Sequence, residues 1–395
     1  MEEGSEKLWN SNYTKVWLAN FMIFFSFMLL MPLLPIYLSE EFNADKHIIG
    51  IVLSGYTVMA LCSRLFSGYI VDTFPRKKVL LISYFLFFLF FSGYIVAGSL
   101  LLFGIIRTLH GAPFGATTVA NSTVAIDVLP PSRRAEGIGY YGLSNNIATA
   151  ISPSFAIWLF QLTESYTLIF VAAFLCSGIG VLINSTIHIE KKEIVSPQKA
   201  AISLDRVFLL PAWSQALCLS CLAFSYGVLS TYVAIYGKEE LGIMSGAGFF
   251  FMLLALGLII ARLLGNKSLR EGKVTFNAGL GCLISLFGYL LFAAVHEEWA
   301  YYTSALIIGF GNGHMFPAFQ TMFINLAPHT QRGTANSSQL VSWDVGVGFG
   351  VLSGGILSEY LGYGAAFWMA WLVNLFGVIG FFLYVRKNFL RNKLR

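Results

Sequence analysis

An all-α polytopic membrane protein is the fold class the sequence predicts, with twelve transmembrane helices in two pseudo-symmetric six-helix bundles. Three observations lead there. Of 395 residues, 56% are hydrophobic and 11% charged, and the mean hydropathy is +0.71; a soluble domain carries about 25% charged residues. Apolar runs of about 20 residues, the length that crosses a hydrocarbon core at about 1.5 Å per residue, recur with only short polar breaks. Several sequence features also repeat at one constant offset of 198 residues.

The twelve runs cover 16–38, 48–71, 78–98, 100–125, 137–160, 167–188, 208–236, 243–265, 275–295, 299–325, 334–357 and 364–385. Met1 to Lys15 is polar and mildly acidic, and the run after it is long enough to span, so it is expected to remain as a helix rather than be cleaved as a signal. Between the sixth and seventh runs, His188 to Arg206 is the longest internal polar stretch. This predicts an N-terminal bundle over 1–188, a cytoplasmic linker over 189–206 and a C-terminal bundle over 207–395. Five cysteines (Cys62, Cys176, Cys218, Cys221 and Cys282) lie inside apolar runs without accompanying ligands, and read as small buried hydrophobes rather than a metal site or disulfides.

The basic residues orient the chain. With a cytoplasmic N-terminus, 22 of the 25 Lys and Arg fall on the cytoplasmic side, Lys46 and Lys238 fall outside, and Arg107 lies within the membrane. Such asymmetry is the positive-inside signal and puts both termini in the cytoplasm. The net charge of +5 then reflects topology and an anionic inner leaflet, with no need of a nucleic-acid partner.

The six-and-six division prompts a search for duplication. LPPSRRAEG from Leu129 aligns with APHTQRGTA from Ala327, and the same offset pairs Arg64 with Arg262, Gly50 with Gly248, Gly111 with Gly309 and Gly115 with Gly313. Two related bundles in parallel orientation account for it.

The most function-specific phrase is RLFSGYIVDTFPRKK, where the second run gives way to the third. Arg64, Gly68, Asp72 and Arg76 follow at one-turn intervals, so a continuing helix stacks them on one face, with Lys77 and Lys78 completing a basic cluster. A small residue beside a carboxylate and these cations suggests a tight cytoplasmic hinge. Its repeat partner, ARLLGNKSLREGK, keeps Arg262 but has Arg270 opposite Asp72, which predicts a one-sided latch.

Twelve spans, a duplicated half, a central linker and this phrase together resemble the major facilitator superfamily, and within it the drug:proton antiporter branch. Gly68, Asp72, Arg76 and Lys77 fill the places of the family's loop signature, while Thr73 and Pro75 stand where a basic residue and a glycine are usual. The resemblance implies that Asp72 meets the N-terminus of the eleventh helix and that Arg76 bridges to Asp127 at the cytoplasmic end of the fourth. A carboxylate at a helix N-terminus gains about 0.3–1 kcal/mol when exposed and more when partly buried, a suitable size for a latch. A plainer role for Arg76, Lys77 and Lys78 is to anchor the third helix at the lipid interface.

In the fourth run Arg107, Gly111 and Gly115 follow at four-residue intervals, similar to the family's arginine-and-glycine signature. A guanidinium within the membrane costs at least about 2.5 kcal/mol and must face a cavity or a partner. The two glycines read as helix-packing positions. In the fifth run Pro153 is kept as a bend, while Ala148, Ser152 and Ala156 replace the glycines of the antiporter branch.

Asp344, in the eleventh run, is the one Asp or Glu expected near the bilayer midplane. Burial disfavours a charged carboxylate, so such a group can exchange a proton near neutral pH. Asp344 and Arg107 are therefore the proton-coupling candidates, with a permanent ion pair as the alternative. Their repeat counterparts, Asn146 and Ala305, are not ionisable. His110 and His314 can titrate or serve as polar contacts. Asn145, Asn146, Gln215, Asn312, Gln320 and Gln339 offer hydrogen-bonding groups to a substrate cavity, and Tyr226, Tyr232 and Trp343 amphipathic walls.

An enzyme finds no Ser/His/Asp context or metal cluster here, and a nucleotide-driven pump no phosphate loop. A channel, or a receptor built on a transporter fold, remains open. The expectation is a monomeric inner-membrane secondary transporter without a cofactor, driven by the proton gradient, exporting a small organic, amphiphilic compound by alternating access. The alternative is a metabolite or sugar uniporter or symporter in which Arg107 binds an anionic group of the substrate.

Overall fold

The computed structural model describes residues 7–44, 46–189, 207–243 and 246–394; most of the expected linker, 190–206, lies outside the described residues. Fourteen α-helices are named here in chain order: α1 (Ser11–Leu30), α2 (Leu34–Phe42), α3 (Lys46–Thr73), α4 (Arg76–Val96), α5 (Leu100–Val128), α6 (Arg134–Thr163), α7 (Tyr166–Ser185), α8 (Trp213–Glu239), α9 (Gly246–Arg270), α10 (Val274–Ala294), α11 (Glu298–Leu326), α12 (Arg332–Leu361), α13 (Tyr363–Gly380) and α14 (Arg386–Asn392). Among the described residues, 9 segments are long and apolar enough to cross a membrane. Helices α5, α6 and α11 fall outside that set although each has 29 or 30 residues. Arg107 and Asp127 interrupt the apolar character of α5; Asn312, His314 and Gln320 do so in α11.

Local chemistry sets the boundaries. Asn10, Ser99 and Ser165 cap α1, α5 and α7 by accepting from Tyr13, Leu102 and Leu168 backbone N–H groups. The expected first run, 16–38, is two helices instead of one. Pro32 and Pro35 lack the amide hydrogens that a continuous helix needs, and Pro35 falls in the first turn of α2. The helix expected to carry Asp72 on to Arg76 also stops, at Thr73: Pro75, with φ −56° and ψ 111°, precedes the new helix α4.

The chain divides into two compact units. The first comprises Met1–Gly137, Tyr141–Phe208 and Thr330–Ser337; the second comprises Ile138–Tyr140, Leu209–His329 and Ser338–Arg395. Each unit therefore incorporates a few residues from the sequence half assigned to the other. In the first, α3 packs on α5, α1 on α7, and α4 on both α5 and α7. In the second, α9 packs on α11, α8 on α13, and α10 on both α11 and α13. The pairings are the same.

The repeat offset holds at the atomic contacts that make this packing possible. A Cβ on Gly111 would overlap the Tyr56 carbonyl oxygen, and one on Gly309 the carbonyl of Leu254, 198 residues after Tyr56. Gly115 likewise rests on Ala60, and Gly313 on Leu258. Glycine lets the two backbones touch where hydrophobic surface already faces lipid and supplies little drive for helix association.

Candidate functional site: a carboxylate clamp and a buried guanidinium

The break at Phe74–Pro75 leaves Asp72 in the last turn of α3 and Arg76 at the start of α4. Asp72 Oδ1 accepts from the Gly333 amide at 2.8 Å, and Oδ2 from the Thr334 amide at 2.8 Å and the Thr334 hydroxyl at 3.0 Å. These amides lie in the first turn of α12, where N–H groups have no partner within the helix and the macrodipole favours an anion. Arg76 Nη2 donates to Asp72 Oδ1 at 3.1 Å, and its Nη1 to Asp127 Oδ2. Arg332 Nη1 donates to the other oxygen of Asp127 at 2.9 Å, with the Arg332 side chain 1% exposed. Two carboxylates and two guanidiniums thus alternate, all within the first unit.

Glycine makes the approach possible. A Cβ on Gly68 would lie 2.7 Å from Thr334 Cα and 2.9 Å from the Gly333 carbonyl oxygen, and one on Gly333 would lie 2.8 Å from the Gly68 carbonyl oxygen. One turn earlier on α3, the Arg64 carbonyl accepts from the Ser337 hydroxyl, and Arg64 Nε donates to Thr118 Oγ1 at 3.4 Å. Asn336 Nδ2 donates to the hydroxyls of Ser122 and Thr123. Lys77 is half-buried and forms no ion pair among the described residues.

Deeper in the same unit, Arg107 is 1% exposed. Its guanidinium lies over the Tyr56 ring, 4.1 Å from the centroid, with Phe27 and Tyr94 at 5.6 and 6.0 Å. Nη1 donates to the Tyr94 hydroxyl at 3.2 Å and Nη2 approaches Met31 Sδ at 3.5 Å; Nε and the Tyr56 hydroxyl have no hydrogen-bond partner among the described residues. Among the described residues of its own unit, no carboxylate lies within ion-pair distance. His110 Nδ1 shares a 2.8 Å hydrogen bond with the same Tyr94 hydroxyl. Aromatic faces partly replace water around the cation but supply no counter-charge.

The remaining residues singled out by sequence divide between the units. Asn145 and Asn146 lie half-buried on α6, where Asn145 accepts from Thr149 at 3.1 Å and Asn146 Nδ2 has no partner among the described residues; Pro153 lies within this helix without ending it. In the second unit Asp344 is half-buried on α12. Beside it in sequence, Trp343 packs tilted against the Tyr226 ring at 5.4 Å and edge-on against the Phe316 ring at 5.2 Å. Gln339 is buried with both amide atoms unpartnered, and Gln215 is buried with an unpartnered Nε2, among the described residues. By contrast, Tyr232 donates to the Val351 carbonyl at 2.7 Å, His314 shares 3.1 Å with Asn277, and Asn312 accepts from Ser285 at 3.3 Å. Gln320 is buried on α11.

Sequence reasoning passed over two groups. Arg332 was counted only as a cytoplasmic charge, although it stands within the aligned APHTQRGTA segment. The other is a buried network in the first unit: Tyr141 donates to Asn20 at 2.7 Å, Asn20 to Ser144 at 2.8 Å, and Asn121 to Tyr141 at 2.9 Å, with Asn184 donating to Asn121 at 3.3 Å. Asparagines inside apolar runs were the available signal. Among the described residues no group of three or more His, Cys, Asp or Glu is arranged to hold a metal ion.

Comparison with known proteins agrees with this architecture. The family model described as the Major Facilitator Superfamily matches residues 16–346 and 278–394. Multidrug resistance protein MdtG of Salmonella paratyphi C is 24% identical over 387 residues, covering 94% of either chain. The quinolone resistance protein NorA of Staphylococcus aureus is 23% identical, over 91% of this chain and 92% of its own. A Na(+), Li(+), K(+)/H(+) antiporter of Planococcus maritimus is 24% identical, over 82% and 79%. Among solved structures, the transporter FucP superposes with a TM-score of 0.79 at 14% identity, covering 96% of this chain and 99% of FucP, and a bacterial homologue of the iron transporter ferroportin with 0.79 at 16%, covering 95% and 99%. This chain, a multi-pass membrane transport protein and not an enzyme, belongs to the Major Facilitator Superfamily.

Proposed function

We propose that the protein is a proton-coupled antiporter that exports a small organic, amphiphilic compound by alternating access, with both termini in the cytoplasm and the chain working as a monomer in the inner membrane. The carrying observation is the Asp72 clamp on the first turn of α12. Its bonds are individually modest, so binding of a substrate or proton, biased by a few kcal/mol between two conformations, can open and remake it in each cycle. Gly68, Arg76 and Asp127 set its geometry. Asp344, the acid on the membrane-embedded part of α12, is the proton site, and the similarity to antiporters and drug-resistance proteins supports export. Protons entering down their gradient supply the work, and no bound cofactor is needed.

Proteoliposomes with an imposed proton gradient test this reading. Export should follow the gradient, and Asp344→Asn should lose coupling, with a drop of at least about tenfold in gradient-driven flux, equivalent to about 1.4 kcal/mol. Export indifferent to the gradient together with a fully active Asp344→Asn variant would sink it. A second reading has its own observation, that Arg107 has no counter-charge among the described residues of its unit: a metabolite or sugar uniporter or symporter could use this guanidinium, with the Tyr56 hydroxyl that has no partner among the described residues, to bind an anionic substrate group. It requires transport of an anionic solute that Arg107→Gln abolishes and that Asp344→Asn leaves intact.

A further inference from the structure

A groove of about 510 Å³ opens beside the clamp, between α3, α4 and α5 of the first unit. Ile70, Phe74, Ile82 and Leu86 form its sides, and Ala112, Pro113 and Ala116 its inner wall. Along α4 it extends from Lys78 to Leu86, roughly 12 Å of helix. Its serines are already satisfied: Ser63 donates to the Ala112 carbonyl at 2.7 Å and Ser83 to the Leu80 carbonyl at 3.1 Å. The inside of the groove therefore offers no free polar side chain to a polar ligand, while four of its apolar side chains are exposed. At one end stands Lys78, exposed and without a carboxylate partner among the described residues.

An apolar slot of this length with a single ammonium group at its mouth matches one chemistry. We infer that the groove seats an acyl chain of an anionic phospholipid whose phosphate lies on Lys78. Both parts of the ligand are needed. A chain excluded from the groove leaves only a mobile surface lysine, and a zwitterionic headgroup brings its own cation to compete with Lys78. Basic side chains at headgroup level select anionic lipids in this way, by about fivefold for one lysine.

The test is native mass spectrometry of the full chain in detergent, titrated with dioleoylphosphatidylglycerol, dioleoylphosphatidylcholine or inorganic phosphate. The wild type should retain one phosphatidylglycerol about fivefold more tightly than phosphatidylcholine. Lys78→Gln should erase that preference, and Ala116→Phe, which narrows the inner wall, should weaken retention of both lipids. Lys387→Gln, an exposed lysine on α14, should change nothing. Lys78 is exposed, so its variant remains informative even if Ala116→Phe fails to fold. Equal retention of the two lipids by the wild type, a preference that survives Lys78→Gln, or displacement of phosphatidylglycerol by inorganic phosphate alone would overturn the assignment.

Discussion

The end of α3 and the end of α9 occupy equivalent places in the duplicated chain, yet only the first builds a clamp. On α3, Asp72 has a side chain 9% exposed and holds two backbone amides, a hydroxyl and Arg76. On α9 the equivalent residue is Arg270, an exposed cation. The acid at the end of α5, Asp127, is replaced by Asn325 at the end of α11. The segment equivalent to Gly333–Thr334 is Ala135–Glu136, and there the carboxylate pairs locally, Glu136 accepting from Arg133 at 2.9 and 3.1 Å. The glycine contacts between α3 and α5 and between α9 and α11 survive in both copies. Duplication preserved what packs the helices and changed the charges that bind their ends.

This contrast can be broken by mutation. The largest effect is expected from Asp127→Asn, which leaves buried Arg332 without a compensating charge: stability should fall by about 3–5 kcal/mol, read as a lowered Tm of the purified protein. Next, Gly111→Ala and Gly309→Ala should each cost about 1–3 kcal/mol and by similar amounts, because both Cβ atoms meet a backbone carbonyl that cannot step aside; unequal shifts in Tm would show that the two seams are not equivalent. Asp72→Asn keeps an acceptor but loses the charge, so about 1–2 kcal/mol should disappear from the clamp while the protein remains folded. Transport should fall about tenfold, and an unchanged rate would remove the clamp from the mechanism. Arg270→Gln should alter neither stability nor transport measurably, by less than about 0.5 kcal/mol.

Much of this is legible in the sequence. Apolar runs about as long as a bilayer is thick specify helices whatever their neighbours, and an offset shared by Gly111 with Gly309 and Arg64 with Arg262 betrays a duplicated packing scheme. Asp72, Arg76 and Asp127 were recognisable because acids and bases are rare in such a chain. Arg332 was not, because being basic near a helix start is common; what distinguishes it is the loss of nearly all its exposure beside Asp127. Tyr232 and Asn312 were legible only as polar side chains within apolar runs. Their polarity suggested a cavity, but whether a hydroxyl or amide faces a ligand or a neighbouring carbonyl depends on the rotation of its helix, which a nearly uniform apolar pattern barely encodes.

By itself, then, the sequence determined the helices, their duplication and the family, since these depend on chain length, hydropathy and spacing, quantities local to the chain. The family resemblance already implied that Asp72 meets the start of α12 and that Arg76 reaches Asp127; tertiary structure decided that Arg332 takes the other oxygen of Asp127 and that Arg107 is left among aromatic rings, with no acid among the described residues of its own unit. Those outcomes turn on distances of about 3 Å between side chains and amides as much as 262 residues apart, and a Coulomb or hydrogen-bonding interaction depends on that separation in space and not on separation along the chain.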